Sequence, residues 1–369
     1  MARSKPIRIG IVGLGMGKAH AMAAAGLPGV EIAAIAEPDS SRLEQLHNNI
    51  AKQHGAKAAA KAKQARLYDD YKAMARDGAV DGMILALPTD MHAAASRYCL
   101  KQGVHVLCEK PPTVKASEMA AVKKLAEDQN LTYMFCRQQR FDPKKFATRD
   151  LALAGKLGTI YHAESKWMRT RGVPFRGGWG VNKDSGGGVL LDLGIHQLDD
   201  AWFCMGSPKP VEVFAGLHCG MPHLAKGQKL SMPYNADDCT VGMVRFDTGA
   251  TLMVTVTFAL NEVKPDTEDG VIGNTEWFEL KVLGSKAGID VVRNRMVSDN
   301  PKGAKVGAIP VPAKLKKMRT QIGGQLANFT DAIRTGAQPL NTAEQALHLM
   351  QMLDALRKSS ETGRSVRIK

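Results

Sequence analysis

The run Ser185-Gly186-Gly187-Gly188-Val189-Leu190-Leu191-Asp192-Leu193-Gly194-Ile195-His196-Gln197-Leu198-Asp199-Asp200 holds the residues best suited to proton chemistry. If the chain is helical from about residue 189, Asp192 and His196 are four apart and share one face. A carboxylate beside an imidazole holds its tautomer, favours its charged form and tunes it as a proton acceptor near neutral pH. Asp199 falls on nearly the same face, so either acid can be the partner. The plainer alternative is an Asp–His pair that stitches the core. No cysteine or second histidine lies near this trio, so no metal is expected there. A second candidate is Lys110 in Glu109-Lys110-Pro111-Pro112. The prolines fix the backbone and remove donors, giving a rigid turn that presents one charged side chain; a surface lysine holding nothing is the other reading.

A third cluster is suited to phosphates. Gly13, Gly15 and Gly17, with Leu14 and Met16 between them, follow an apolar run and open an Ala-rich stretch. Glycines admit a pyrophosphate close to the backbone, and a helix N-terminus offers free N–H groups and a positive dipole end. The spacing is GxGxG, one residue short of the usual GxGxxG. Glu37, about 20 residues on, ends the next apolar run and can take both ribose hydroxyls of NAD while repelling a 2′-phosphate. Arg42 offers a possible phosphate contact, so NAD is favoured and NADP stays open. Two of the four tryptophans, Trp167 and Trp179, fall in a cationic, Gly-rich stretch with Arg169, Arg171, Arg176 and Lys183. Tryptophan faces stack on the apolar faces of sugars, and arginine donates to hydroxyls or carboxylates; both tryptophans could equally be core.

These groups need elements to position them. Apolar, β-branched runs at 7–12, 30–36, 80–87, 104–108 and 132–136 alternate with helical segments at 18–25, about 40–65, 91–102 and about 115–129. Such alternation means βαβ units and a parallel, doubly wound sheet. After about residue 137 a helix at 143–155 gives way to strand-like runs at 159–168, 211–217, 240–246, 251–258 and 277–282, with Asp247-Thr248-Gly249 as a hairpin turn. Helices return at 320–336 and 342–360. The fold class expected is therefore α/β: a doubly wound parallel sheet over 1–137, then an α+β domain with a largely antiparallel open sheet over 138–369. Residues 261–275 and 295–319 read as loops that a partner subunit could order.

Composition narrows the class further. The 369 residues suit two domains. No run reaches the ~18 apolar residues of a membrane span. The basic start, Met1–Ile7, is followed by an apolar run too short for a signal peptide. The net charge of +14 invites nucleic acid, but the basic stretches at 52–66 and 302–319 interleave no aromatics, so a solvated surface favouring anionic ligands is expected instead. The six cysteines form no CxxC pair, which fits reduced thiols in the cytoplasm.

Taken in order, Gly13, Gly15, Gly17 and His20; Leu87-Pro88-Thr89 with His92; Glu109-Lys110-Pro111; Arg140-Phe141 with Pro143; Gly186 to His196 as GGGxLxDxGxH; and Ser360 to Val366 resemble the Gfo/Idh/MocA oxidoreductases nearly end to end. The resemblance implies a Rossmann domain, a second domain whose open sheet builds dimers or tetramers, and NAD(P)-dependent oxidation of a hydroxyl on a sugar, glycoside or polyol. It assigns the catalytic roles to Lys110, Asp192 and His196. Cofactor contacts are implied along the glycine loop from Gly13 to Gly17, including Leu14 and Met16, at Glu37, at Leu87, Pro88 and His92, and at Glu109, Lys110, Gln138 and Trp179. Substrate contacts are implied at Lys110, Asp192 and His196, with Arg140, Trp167, Arg169, Arg171 and Trp179 around them. On this reading a hydroxyl loses its proton to His196 or Lys110 as its carbon yields hydride to nicotinamide. The alternatives are a redox-neutral, NAD-dependent glycosidase and a non-catalytic dinucleotide sensor.

Overall fold

The computed structural model describes residues 5–262, 270 and 273–368. Contacts divide the chain into two compact units, Met1–Phe141 with Arg319–Leu347, and Asp142–Met318 with His348–Lys369. In the first, β1 (Ile7–Val12), α1 (Gly17–Ala25), β2 (Val30–Ala36), α2 (Ser40–His54), α3 (Ala56–Ala62) and β3 (Arg66–Tyr68) are followed by α4 (Tyr71–Arg76) and β4 (Gly82–Leu85). Then come α5 (Thr89–Lys101), β5 (His105–Cys108), α6 (Ala116–Asp128) and β6 (Tyr133–Phe135). All six strands are parallel, in the order β3-β2-β1-β4-β5-β6. Their apolar runs are buried because helices cover both faces of such a sheet: Ile9, Ile11, Ile35, Ile84 and Leu107 are fully enclosed. The strand order reverses between β1 and β4, which places the ligand crevice at the carboxyl ends of these strands.

The second unit runs α7 (Pro143–Leu153), β7 (Ile160–Arg169), α8 (Ile195–Cys204), β8 (Pro210–His218), β9 (Cys239–Phe246), β10 (Thr251–Thr257), β11 (Glu276–Gly284), β12 (Ala287–Asp290), β13 (Arg295–Asn300), β14 (Gly303–Gly307) and α9 (Ala313–Lys316). After α10 (Gln321–Thr335) and α11 (Ala343–Thr362), β15 (Val366–Arg367) closes the chain. The nine-stranded sheet has the order β14-β13-β12-β11-β7-β10-β9-β8-β15; only β7 and β10 pair in parallel. This is the mixed α/β architecture expected from the sequence. The Asp247-Thr248-Gly249 turn does join an antiparallel pair, β9 and β10, with Gly249 at φ 83°.

Four expectations change. The segment at 40–65 is two helices, because Gly55 sits at φ 88° and ends α2. Arg66–Tyr68 adds a sheet-edge strand too short to stand out by periodicity. The region 295–319 is not an irregular loop: β13 and β14 form a hairpin and α9 follows. Residues 319–347 group with the first unit rather than the second, since α10 packs on α1 and on the turn after β6. Of the expected loop at 261–275, residues 263–269, 271 and 272 lie outside the described residues.

Candidate active site

In the first unit the predicted cofactor residues gather on one edge of the sheet. Gly13 leaves β1 at φ 79°, and its N–H donates to the Ala36 carbonyl at 2.9 Å. A Cβ at Gly13 would stand 2.5 Å from the Ala86 oxygen, so the turn needs glycine for both conformation and space. At Gly17, the first residue of α1, a Cβ would press on Ile11 and Ala86. Gly15 differs: nothing lies within 4 Å of where its Cβ would be, and Gly15 and Met16 are exposed at the mouth of the helix. That open cradle, facing the N–H groups of α1, fits a pyrophosphate despite the shortened spacing.

Glu37 is nearly buried. Its Oε2 accepts the Leu14 N–H at 2.6 Å and its Oε1 the Asp39 N–H at 3.1 Å. The carboxylate that ends β2 thus ties down the glycine loop. Arg42 lies 3.5 Å from Glu37 and 3.4 Å from Asp39, an ion-paired guanidinium rather than an open phosphate ligand.

The loop carrying Lys110 is braced from two sides. Glu109 takes a 2.7 Å contact from His20 Nε2 on α1 and a 3.0 Å bond from the Lys110 N–H. Burial alone would raise the Glu109 carboxyl; the His20 hydrogen bond and charge, with the Lys110 N–H and charge, hold it below the usual range and so ionised. Cys136 Sγ lies 3.8 Å from His20 Nε2, which makes these three side chains a compact buried cluster. The His20–Glu109 spacing is that of a direct hydrogen bond. His92 is 1% exposed, with Nδ1 2.7 Å from the Pro111 carbonyl and Nε2 2.9 Å from the Leu87 carbonyl. Both ring nitrogens are committed to the main chain, so His92 holds loops where a cofactor contact was expected. Leu87 is half-buried and Pro88 exposed.

Gln138 and Arg140 sit on the short turn after β6. Arg140, expected to meet substrate, is fully buried: it bonds the Leu340 carbonyl, Asn341 and Gln345, and its guanidinium stacks 5.2 Å from the Phe135 ring. It clamps the 340–345 segment to β6, work that a sequence motif does not distinguish from ligand binding.

In the second unit the chain around Asp192 is not a plain α-helix. Leu190–Gly194 is a π-turn, with the Ile195 N–H reaching the Leu190 carbonyl, and α8 follows directly. The wider winding alters the four-residue alignment expected of Asp192 and His196. Asp192 is half-exposed at this bulge, while His196 is 6% exposed and Asp199 fully buried. Helix α8 is pinned at two points just after His196: Ser165 Oγ donates to Gln197 Oε1 at 2.7 Å, and Lys145 pairs with buried Asp200 at 2.6 Å.

Beside His196 lies an aromatic wall. Trp167 of β7 has its ring centroid 5.9 Å from that of His196 and 4.8 Å from that of Phe278, its register partner on β11. Glu276 Oε2 accepts from Trp167 Nε1 at 2.9 Å and from Arg169 Nε at 2.8 Å, and the Arg169 guanidinium lies 5.3 Å from the Trp167 ring. Trp167, Arg169 and His196 therefore do come together. Arg171 turns away to the Leu260 carbonyl and Asn261. Trp179, half-buried, is stacked by Arg176 at 5.6 Å.

Two residues that sequence reasoning missed support this site. Glu276 faces Arg169 across the β7–β11 register and fixes both Trp167 and Arg169. Asp237 accepts the Leu190 N–H at 2.7 Å and the Thr240 hydroxyl at 2.9 Å, while its carbonyl takes the Val189 N–H at 2.8 Å. Burial pushes the Asp237 carboxyl up, against the pull of these donors. The only sequence signal was an acidic pair, Asp237-Asp238, just ahead of a strand.

A glycine cradle on a doubly wound sheet, joined to an α/β unit with a histidine helix, defines a dinucleotide-binding oxidoreductase architecture. Residues 7–136 match the oxidoreductase family's NAD-binding Rossmann fold, and residues 149–368 match its C-terminal alpha/beta domain. The chain belongs to the Gfo/Idh/MocA oxidoreductase family. It is similar to a D-glucoside 3-dehydrogenase of Escherichia coli, 28% identical over 99% of this chain and 98% of that one. A D-xylose 1-dehydrogenase (NADP(+)) of Haloferax volcanii is 26% identical over 92% of each chain. A levoglucosan dehydrogenase solved with NADH and levoglucosan shares the fold, with a TM-score of 0.79 at 20% identity over 99% of this chain and 100% of that one.

Proposed function

We propose that this protein is an NAD-dependent dehydrogenase that oxidises a hydroxyl of a sugar or glycoside. The observation that carries the reading is the aromatic and cationic wall, Trp167, Phe278 and Arg169, built against the His196 ring. An indole face suits the C–H face of a pyranose, and a guanidinium held by Glu276 suits its hydroxyls. The full-length relatives named for glucoside and xylose oxidation support the substrate class.

NAD, when bound in the glycine cradle, would supply the acceptor for the hydride that leaves the carbinol carbon. His196 takes the hydroxyl proton, Asp192 on the π-turn supports the charge that His196 gains, and Lys110 stabilises the developing alkoxide. Buried, ionised Glu109 keeps the Lys110 turn fixed through its main-chain N–H. Glu37, held by two N–H groups after β2, would take ribose hydroxyls and disfavour a 2′-phosphate, which supports NAD over NADP.

The exposed face of the second sheet supports self-assembly. Phe214, Met243 and Met253 are register neighbours on β8, β9 and β10, 50%, 42% and 38% exposed. We assign this face to a homodimer or homotetramer. The free cysteines support a reducing compartment such as the cytoplasm as the place of action. Among the described residues no helix is long and apolar enough to cross a membrane.

The test follows reduced-nicotinamide absorbance with NAD and NADP against sugars, glycosides, polyols and sugar acids. Lys110→Ala and His196→Ala are each expected to lower kcat by roughly 10²–10⁴ in folded protein. Unchanged kcat in both variants removes the catalytic assignment.

A further inference from the structure

His92 makes a pair of contacts that constrains its charge. A main-chain carbonyl only accepts hydrogen bonds, and a neutral imidazole has one N–H and one lone pair. With Pro111 O at 2.7 Å from Nδ1 and Leu87 O at 2.9 Å from Nε2, a neutral ring would aim a lone pair at a carbonyl oxygen. Only the imidazolium satisfies both. The two carbonyls belong to different loops: Leu87 follows β4, and Pro111 follows Lys110 at the end of β5.

We propose that His92 is a buried imidazolium that clasps these two loops together, positioning Lys110 beside the dinucleotide edge, and that loss of its proton sets the alkaline limit of NAD binding and turnover. The proposal rests on the reading of that edge as the NAD site and of Lys110 as catalytic. His92 is a positioning residue, since both its nitrogens are spent on the main chain.

The surroundings favour the charge. Burial opposes it, but Cys108, the Pro111 carbonyl and the Glu109 carboxylate outweigh burial and raise the ring to about 9. Cys108 and Glu109 end and follow β5, with Lys110 next along the chain. From β6, burial and Cys108 push the Tyr133 phenol well up, so it adds no negative charge near neutrality. On α5 itself, Asp90 and Arg97 are exposed. The cations in this set are the half-exposed Lys110 and the exposed Arg97, both reached by solvent that screens them.

The experiment reads ring protonation directly. In protein uniformly labelled with ¹⁵N and ¹³C, the His92 side chain is identified by couplings across its hydrogen bonds to the Pro111 and Leu87 carbonyl carbons. Both nitrogens are expected to carry protons at neutral pH and to convert with a midpoint near pH 9. A single protonated nitrogen at neutral pH overturns the proposal, and this test needs no variant. In parallel, NAD affinity is measured by calorimetry from about pH 6 to about pH 10. Wild-type affinity should fall across the upper part of that range. His92→Gln, which can donate to one carbonyl at most, should bind NAD roughly 10–100-fold more weakly at neutral pH, with the alkaline fall abolished. An unchanged alkaline fall in His92→Gln overturns the clasp. Neither readout involves turnover, so a Lys110 found to be non-catalytic would leave both standing and would fail only the catalytic reading.

Discussion

Gly13 and Gly15 are two residues apart and do opposite work, which separates folding from binding at the level of single side chains. Gly13 is required by the protein itself: its φ is 79° and a Cβ would strike the Ala86 carbonyl. Nothing packed around Gly15 requires glycine, because a Cβ there meets nothing within 4 Å; on the proposed reading the requirement comes from what enters the cradle. Gly13→Ala should therefore lower stability by about 1–3 kcal/mol, seen as a lower denaturant midpoint. Gly15→Ala should leave that midpoint unchanged and weaken NAD binding about tenfold or more, measured by calorimetry. Equal affinity for NAD in wild type and Gly15→Ala would remove the cradle as the pyrophosphate site. Spacing alone does not make this distinction; it marks both positions as glycine and gives neither a reason.

At the scale of elements, helix α8 and its π-turn carry the proposed proton chemistry, and a loop residue sets their start. Asp237 holds the Leu190 N–H, the first peptide of the π-turn, and the hydroxyl of Thr240, the second residue of β9. Asp237→Ala strands both donors in a buried site, so a loss of about 1–3 kcal/mol in unfolding free energy is expected. Because the turn carries Asp192, kcat should fall further than the loss of folded protein explains; a kcat per folded molecule equal to wild type would show that the turn holds its shape without Asp237. The strands and helices that frame this site were legible because they are long and periodic, as β7, β9 and β10 are. The π-turn was not, since a helix pattern in sequence does not reveal where one extra residue is wound in. Arg140 and His92 were legible as motif residues but not as loop clamps: the partners of His92 are main-chain carbonyls that any sequence supplies, and those of Arg140 lie in the distant segment 340–345. The hairpin at 295–307 was hidden by exposed, lysine- and glycine-containing strands at the sheet edge, where burial imposes no alternation.

At the scale of the whole molecule, the second sheet has one face under helices and one face open. Helix α8 packs on β7, β10 and β11, and α11 reaches β8 and β9, where Ser359 and Ser360 bond Ala215 and Leu217 and where Leu356 meets Gly242. On the open side the row Phe214–Met243–Met253 runs across three strands, joined by Val241 at 43% exposure. Across the register from Met253 comes Glu164 of β7, opposite Lys281 of β11. Lys166 and Glu279 complete a ladder with Glu164–Lys166 at 2.8 Å and Lys281–Glu279 at 2.9 Å. The carboxyl of Glu164 is held below its usual range chiefly by the Lys166 hydrogen bond, so the ladder is charged at neutral pH and satisfied within the chain. An apolar row beside a neutralised ladder suits a flat surface that another such surface covers, since neither part needs water to complete its bonds. If two copies pair there, the attraction is apolar, and added salt should not separate them. Met243→Asp together with Phe214→Lys should reduce the sedimenting mass to that of one chain while leaving the melting of each unit's core intact, because both side chains point away from it. Analytical ultracentrifugation at micromolar concentration decides the matter. A wild-type chain that sediments as a monomer there rules out this face as the assembly surface, whereas an oligomer untouched by the double substitution places the interface elsewhere on the chain.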